Sequence, residues 1–195
     1  GEFQAKRLSG RSELKLSFGD GDIEFIRSGE LVVKYSDLNI EELGVVRLEQ
    51  GFSDMRIRKA ESIDLKSKYG EIELGEIKGI RGYVGFTDFS IGKLLVELDL
   101  ETSYAGGFEI DEVAKNFKRI DLDGKFGSYR IGFEDGVNGS FETRLKFSDF
   151  RYSGVDIDMN YQVKEDFKSE YRGKLGNGEG GTIKIVSSYG DVKFY

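Results

Sequence analysis

The sequence predicts an all-β protein built as a single-stranded parallel β-solenoid, a β-helix, and three observations predict it. An aromatic residue returns every seventeen positions at Phe18, Tyr35, Phe52, Tyr69 and Phe86, then at looser spacing at Tyr104, Phe126 and Phe147. Around each stands the same phrase, an aromatic, a small residue, an acid and then alternating apolar residues, as in Phe52-Ser53-Asp54-Met55-Arg56-Ile57 and Tyr69-Gly70-Glu71-Ile72-Glu73-Leu74. The chain has no proline, which suits a backbone whose N–H groups are nearly all committed to strand ladders.

Each unit reads outward from its aromatic. Leu65, Ser67 and Tyr69 share one parity while Lys66 and Lys68 take the other, the alternation of a half-buried strand. After Gly70-Glu71 the parity flips and Ile72 and Leu74 point inward, so the chain is expected to turn a corner at the small–acid pair. On this parity the aromatics lie inside with Leu31 and Leu65, stacked in the core. The phrase recurs at Leu31-Val33-Tyr35, Ser36-Asp37, Leu38-Ile40, at Phe86, Thr87-Asp88, Phe89-Ile91, and at the end of the chain as Ile185-Ser187-Tyr189, Gly190-Asp191, Val192-Phe194. Phe and Tyr alternate from Phe18 to Tyr104, so neighbouring units are not quite equivalent.

The alternative architecture is an antiparallel β-meander or barrel in which each unit is a hairpin. It needs a primed two-residue turn at the small–acid pair, with positive φ at Ser36, Ser53 and Thr87, where side chains other than Gly are strained. The solenoid is therefore preferred, with coils of about 17 to 22 residues that gain stability by stacking. One domain is expected over residues 1–195. Regular coils fill about 11–110, and looser coils fill 111–155, with a corner loop at Phe133–Gly139. An irregular loop or capping region with Gly173, Gly176, Gly178, Gly180 and Gly181 occupies 156–182, and a final strand pair occupies 183–195. The ends of such a rod offer unpaired strand edges, so Gly1–Gly10 and Asp156–Thr182 cap them or the rod pairs with another copy.

Composition narrows the chemistry. Acids outnumber bases 36 to 29 for a net charge of −7, so the surface repels phosphate backbones and nucleic acid is not an expected partner. Cys, His and Trp are absent, which removes thiolate nucleophiles, imidazole bases, disulfides and ordinary zinc or copper sites. No stretch approaches the ~20 apolar residues of a membrane span. The chain opens Gly1-Glu2-Phe3 without Met, consistent with a removed leader or lipid anchor.

No catalytic residue and no cofactor are expected. The strongest candidate for a site is the row of corner acids Asp20, Asp37, Asp54, Glu71 and Asp88, continued by Asp149 and Asp191. The preferred reading is that each caps its own turn by accepting a backbone N–H. Calcium is the minority reading, because it takes oxygen ligands. Paired carboxylates also raise a glycosidase, but acids alternate with Lys and Arg along almost every outward face, so no pair stands apart. The run Gly173–Thr182 lacks the Lys and the following helix of a phosphate cradle. Tyr83, Tyr152 and Tyr161 fall outside the aromatic phrase and suit either ligand contact or strand-edge packing.

At Lys34-Tyr35-Ser36-Asp37, Lys68-Tyr69-Gly70-Glu71-Ile72 and Ser187-Ser188-Tyr189-Gly190-Asp191-Val192 the chain resembles bacterial envelope proteins of unknown function labelled putative adhesins. The resemblance covers nearly the whole chain. It implies a right-handed solenoid, export to the periplasm, outer membrane or extracellular space, and no shared catalytic residues. The expected role is an adhesin-like or scaffolding element with a protein or glycan partner. The rival is a carbohydrate-binding or carbohydrate-active β-helix protein that works through carboxylates.

Overall fold

Alternation of apolar and charged residues keeps the chain in strand ladders from Glu2 to Ser103, the run labelled β1, whose extended backbone is interrupted at positive φ by Phe18, Tyr35, Phe52, Tyr69 and Phe86. The computed structural model describes all residues from Gly1 to Tyr195, and they are all-β with no helix. After β1 come β2 (Phe108–Val113), β3 (Arg119–Lys125), β4 (Tyr129–Phe133), β5 (Gly139–Lys146), β6 (Phe150–Tyr152), β7 (Ile157–Glu165), β8 (Lys168–Leu175), β9 (Gly181–Ser188) and β10 (Val192–Phe194). They form one ten-stranded sheet of mixed orientation in the order β6-β10-β4-β2-β1-β3-β9-β5-β8-β7.

A straight strand as long as β1 would reach about 340 Å. Instead the run folds back on itself so that residues seventeen apart lie side by side. Asn39 Nδ2 donates to Asp22 Oδ1 at 3.0 Å, and Arg56 and Arg81 reach Glu73 and Asp64. The rows approach closely enough that a Cβ on Gly44 would lie 2.0 Å from Arg27 O, which is why that position takes Gly. Parallel pairing then carries the tail of β1 onto β2 and β3, with Phe89 opposite Phe108 and Leu98 opposite Ile120.

The inward side is one cluster of 43 buried apolar residues. Burial of each Leu, Ile, Val or Phe side chain contributes about 1.5–3 kcal/mol, so stacking the rows is the main source of stability. A short polar strip runs through this interior beneath the corner. Ser67 Oγ donates to Gln50 Oε1 at 2.8 Å and meets Thr87 Oγ1 at 3.0 Å, while Gln50 Nε2 donates to Tyr69 O. Tyr129, fully buried, shares a hydrogen bond of 2.7 Å with Thr102.

The structure moves the corner by one residue. The parity reverses at the aromatic itself, not at the small–acid pair. Phe18, Tyr35, Phe52, Tyr69, Phe86, Tyr104, Phe126, Phe147 and Tyr189 all have φ between 53° and 63°, the left-handed region. A left-handed residue re-aims the chain, so Ser67 and Ile72 both point inward while Lys68 and Tyr69 face solvent. The aromatic row expected inside is therefore outside. The small residues take the interior: Ser36, Ser53 and Thr87 are buried, each donating its hydroxyl to the carbonyl two residues earlier.

The stretch 156–182, read as an irregular loop or cap, is mostly regular. Here β7 and β8 form a hairpin through Asp166-Phe167, and β8 pairs antiparallel with β5, with Thr143 opposite Tyr171. Only the glycine-rich Gly176–Gly180 connection is a loop. The loop expected near Phe133–Gly139 stands between β4 and β5.

Candidate functional site

Placing nine aromatics in the left-handed region projects their rings in one direction from one corner. Left-handed backbone costs an L-residue roughly 1–2 kcal/mol, and an aromatic pair contributes about 0.5–1.5 kcal/mol beyond its buried area. A ring with two neighbours offsets its own backbone strain, which an isolated ring does not. The rings stack accordingly: Phe18 on Tyr35 at 5.0 Å, Tyr35 on Phe52 at 5.1 Å, Phe52 on Tyr69 at 4.6 Å, Tyr69 on Phe86 at 5.0 Å, and Phe86 on Tyr104 and Tyr104 on Phe126 at 4.7 Å each.

The next ring after Phe126 is not Phe147 but Tyr189, which lies 4.9 Å from each of them, and Phe147 then meets Phe167 at 4.7 Å. Ten rings thus form one ladder, its members 41–73% exposed. Tyr189 enters because β9 runs between β3 and β5, and β10 runs between β4 and β6. The last fifteen residues are inserted between two rows written earlier. The signal was in the alternation, since Phe126 and Phe147 are successive corner aromatics that are both Phe, and Tyr189 restores Phe–Tyr order between them in space.

The ladder presents ring edges, not faces, to solvent, because each interior face is covered by a neighbour. Phe18 and Phe167, at 73% and 63% exposure, are the end rings with a face free. A partner therefore meets a ridge of aromatic C–H edges punctuated by tyrosine hydroxyls. Its length is about 44 Å, nine steps at the spacing of adjacent strands.

Beside the ladder runs the row of corner acids. The acids do cap backbone N–H groups, but those of the adjoining row and not of their own turn. Asp54 Oδ1 accepts from Glu71 N–H at 3.1 Å, Asp88 Oδ1 from Gly107 N–H at 3.0 Å, and Asp191 Oδ1 from Asp149 N–H at 2.9 Å. Asp20 and Asp37 stand exposed in the same row. No group of three or more carboxylates converges on a point that could hold a metal ion. Glu71 is the one member whose carboxyl is pushed up from its ordinary value, first by desolvation and then by its hydrogen bond with Glu73 and the charges of Glu73 and Asp54.

Elsewhere the outward acids are matched to bases across rows. Arg56 pairs with Glu73 at 2.7 Å, Arg81 with Asp64 at 3.0 Å, Lys66 with Glu49 and Lys78 with Glu61 at 3.4 Å each. These are solvated pairs that fix lateral register more than they add stability. The surface between rows is shallow, as in a depression of about 550 Å³ lined by Gln4, Asp22, Asn39 and Glu41. Of the tyrosines outside the phrase, Tyr152 and Tyr161 are exposed, Tyr161 lies beneath the Arg172 guanidinium at 5.0 Å, and Tyr83 is held by Ser103. No helix is long and apolar enough to cross a membrane.

In comparisons with known proteins, no family model matches the chain, and neither a curated protein nor a solved structure does.

Proposed function

We propose that the chain is a non-enzymatic β-solenoid acting as an adhesin-like or scaffolding element of the cell envelope or extracellular space. The solenoid reading is supported by hydrogen bonds, ion pairs and ring stacks between residues seventeen apart throughout β1, and by parallel registers through β2, β3, β4, β9 and β10. The observation that carries the functional reading is the exposed ten-ring ladder. It is a continuous exposed row of stacked rings, nine of them set on left-handed backbone instead of being left over from the core. A partner with a long, flat apolar surface, protein or glycan, fits a ridge of this kind.

The test is attachment. The protein is immobilised and probed against bacterial surfaces, matrix proteins and a glycan array, beside the variant Tyr35→Ser/Phe52→Ser/Tyr69→Ser. Loss of capture in a variant that remains folded supports the ladder as the contact. Undiminished capture by that variant removes the ladder from the function. The carbohydrate-active reading draws on Glu71, whose carboxyl is pushed up from its ordinary value by desolvation and by Glu73 beside it. Glycan hydrolysis that disappears in Glu71→Gln would replace the adhesive reading with that one.

A further inference from the structure

The segment Gly181–Tyr195 occupies a slot made by chain that precedes it. On one side β9 pairs parallel with β3, and on the other with β5, each in continuous register, while β10 is held between β4 and β6. Ile183, Ile185, Val192 and Phe194 are buried there. The slot also reads the segment residue by residue. Lys184 sits opposite Asp121 on one wall and Glu142 on the other, and Tyr189 fills the ring position between Phe126 and Phe147. Gly190 N–H donates to Ser148 Oγ at 2.9 Å, and a Cβ at Gly190 would lie 1.5 Å from Gly127 O, so only Gly passes that point.

The covalent link between this segment and the rest is short. Gly176–Gly180 joins β8 to β9, with Gly176, Gly178 and Gly180 at positive φ. The segment is held by chain that precedes it, chiefly β3 to β6 with Glu109 of β2 at its end, and none of these contacts depends on which copy of the chain supplies it. A short glycine hinge beside a fully non-local strand is the arrangement from which domain exchange arises.

We propose that the slot between β3–β4 and β5–β6 is a strand-acceptor site that accepts Gly181–Tyr195 of a second copy of this chain in place of its own. At low protein concentration the tethered segment wins, because its effective concentration is in the millimolar range for a short linker. When chains fold together at high concentration, the segment of one copy enters the slot of another before its own closes. The exchanged dimer then keeps every native contact except those of the hinge.

The chain has no cysteine, so the exchange is readable by disulfide trapping. Full-length Asp121→Cys and full-length Lys184→Cys are unfolded, mixed, refolded together at increasing protein concentration and oxidised. The two positions are register partners across β3 and β9, on the outward face. The expected result is a disulfide-linked heterodimer whose yield rises with concentration and which does not form when separately refolded chains are mixed. The chain carrying both cysteines verifies the register by crosslinking within itself, and Arg119→Cys with Thr182→Cys provides a second partner pair. Internal crosslinking of the doubly substituted chain, with no heterodimer from either pair at any concentration, overturns the proposal.

Discussion

From Gly1 to Ser103 each row rests on chain seventeen residues away, whereas past Arg119 the rows are closed by chain that arrives much later. Asn39 reaches Asp22 across seventeen residues, while Gly190 reaches Ser148 across 42 and Tyr195 reaches Glu109 across 86. The outer appearance of the two regions is the same, since the ring ladder passes through both with a step near 4.9 Å. What differs is the order in which the contacts can form. Short-range rows need little loop closure and can add one upon another. The C-terminal region needs its last fifteen residues before its interior is complete, so the same local geometry carries a different dependence on the whole.

The largest expected effect tests that dependence directly. Phe194 is fully buried between β4 and β6 and packs edge-on against Phe150 at 5.0 Å and Phe141 at 5.6 Å. Truncating a buried Phe typically costs about 3–5 kcal/mol. Leu16, near the start of β1, is only partly buried against the core. Leu16→Ala should therefore cost about 1–2 kcal/mol, less than the full burial value of a leucine. Equilibrium unfolding in guanidinium measures both. Equal losses would mean that the inserted segment is no more critical than the first row, which would break the comparison.

A second test sharpens it through the ladder. Tyr69 and Tyr189 each stack on two rings and each holds φ near 60°, but only Tyr189 also clamps the inserted segment. Tyr69→Ala keeps the strained backbone and loses two stacks, an expected cost of about 1–3 kcal/mol. Tyr69→Gly loses the same stacks but relieves the strain, so it should be more stable than the alanine variant by about 1 kcal/mol. Thermal melts of the two variants decide the matter. If alanine and glycine melt together, the left-handed corner is not strained, and the stacking argument for aromatics at that position fails. The same pair of substitutions at Tyr189 should give the same Ala-to-Gly difference on top of a larger loss.

The alternation of Ile72, Leu74 and their equivalents, and the recurrence of the aromatics, were enough to read an all-β chain with inward and outward faces. They were not enough to place the rings. Counting by twos through Leu65, Ser67 and Tyr69 puts Tyr69 inside, and only a left-handed residue, which breaks the count, puts it outside. Nothing in the type of residue announces that conformation, because Phe and Tyr are poor left-handed residues and the stacking that offsets their strain is a property of neighbouring rows. The acids were read as caps, and Asp54, Asp88 and Asp191 are caps, but the identity of the row they cap depends on lateral stacking. The hairpin β7–β8 did leave a signal, since Ile157, Met159, Tyr161 and Val163 alternate with Asp158, Asn160, Gln162 and Lys164, but β7 lacks the aromatic–small–acid phrase, its apolar face is at most half-buried, and its register shifts between Met159 and Tyr161.

The smallest effect concerns how the two ends of the chain are fastened. At the start, the Gly1 ammonium reaches Phe18 O at 3.4 Å. At the end, the Tyr195 hydroxyl donates to Glu109 Oε1 at 2.9 Å, beneath the Arg130 guanidinium at 5.5 Å from its ring. Burial, then the hydrogen bond to Glu109 and the charges of Glu109 and Asp111, push this phenol from its usual 10.0 to about 12. The folded protein therefore holds the proton more tightly than the unfolded chain does. The contribution of Tyr195 to stability is fully present below pH 10 and is lost as pH rises from 10 towards 12, because there the unfolded chain gains by ionising and the folded one does not. Deprotonating lysines lowers stability over the same range in any variant, so the informative quantity is a difference. Tyr195→Phe should melt somewhat below the parent at pH 8, and the gap should narrow or reverse by pH 12. A gap that stays constant from pH 8 to pH 12 would show that the phenol titrates alike in both states and that the last residue is tied down by packing alone.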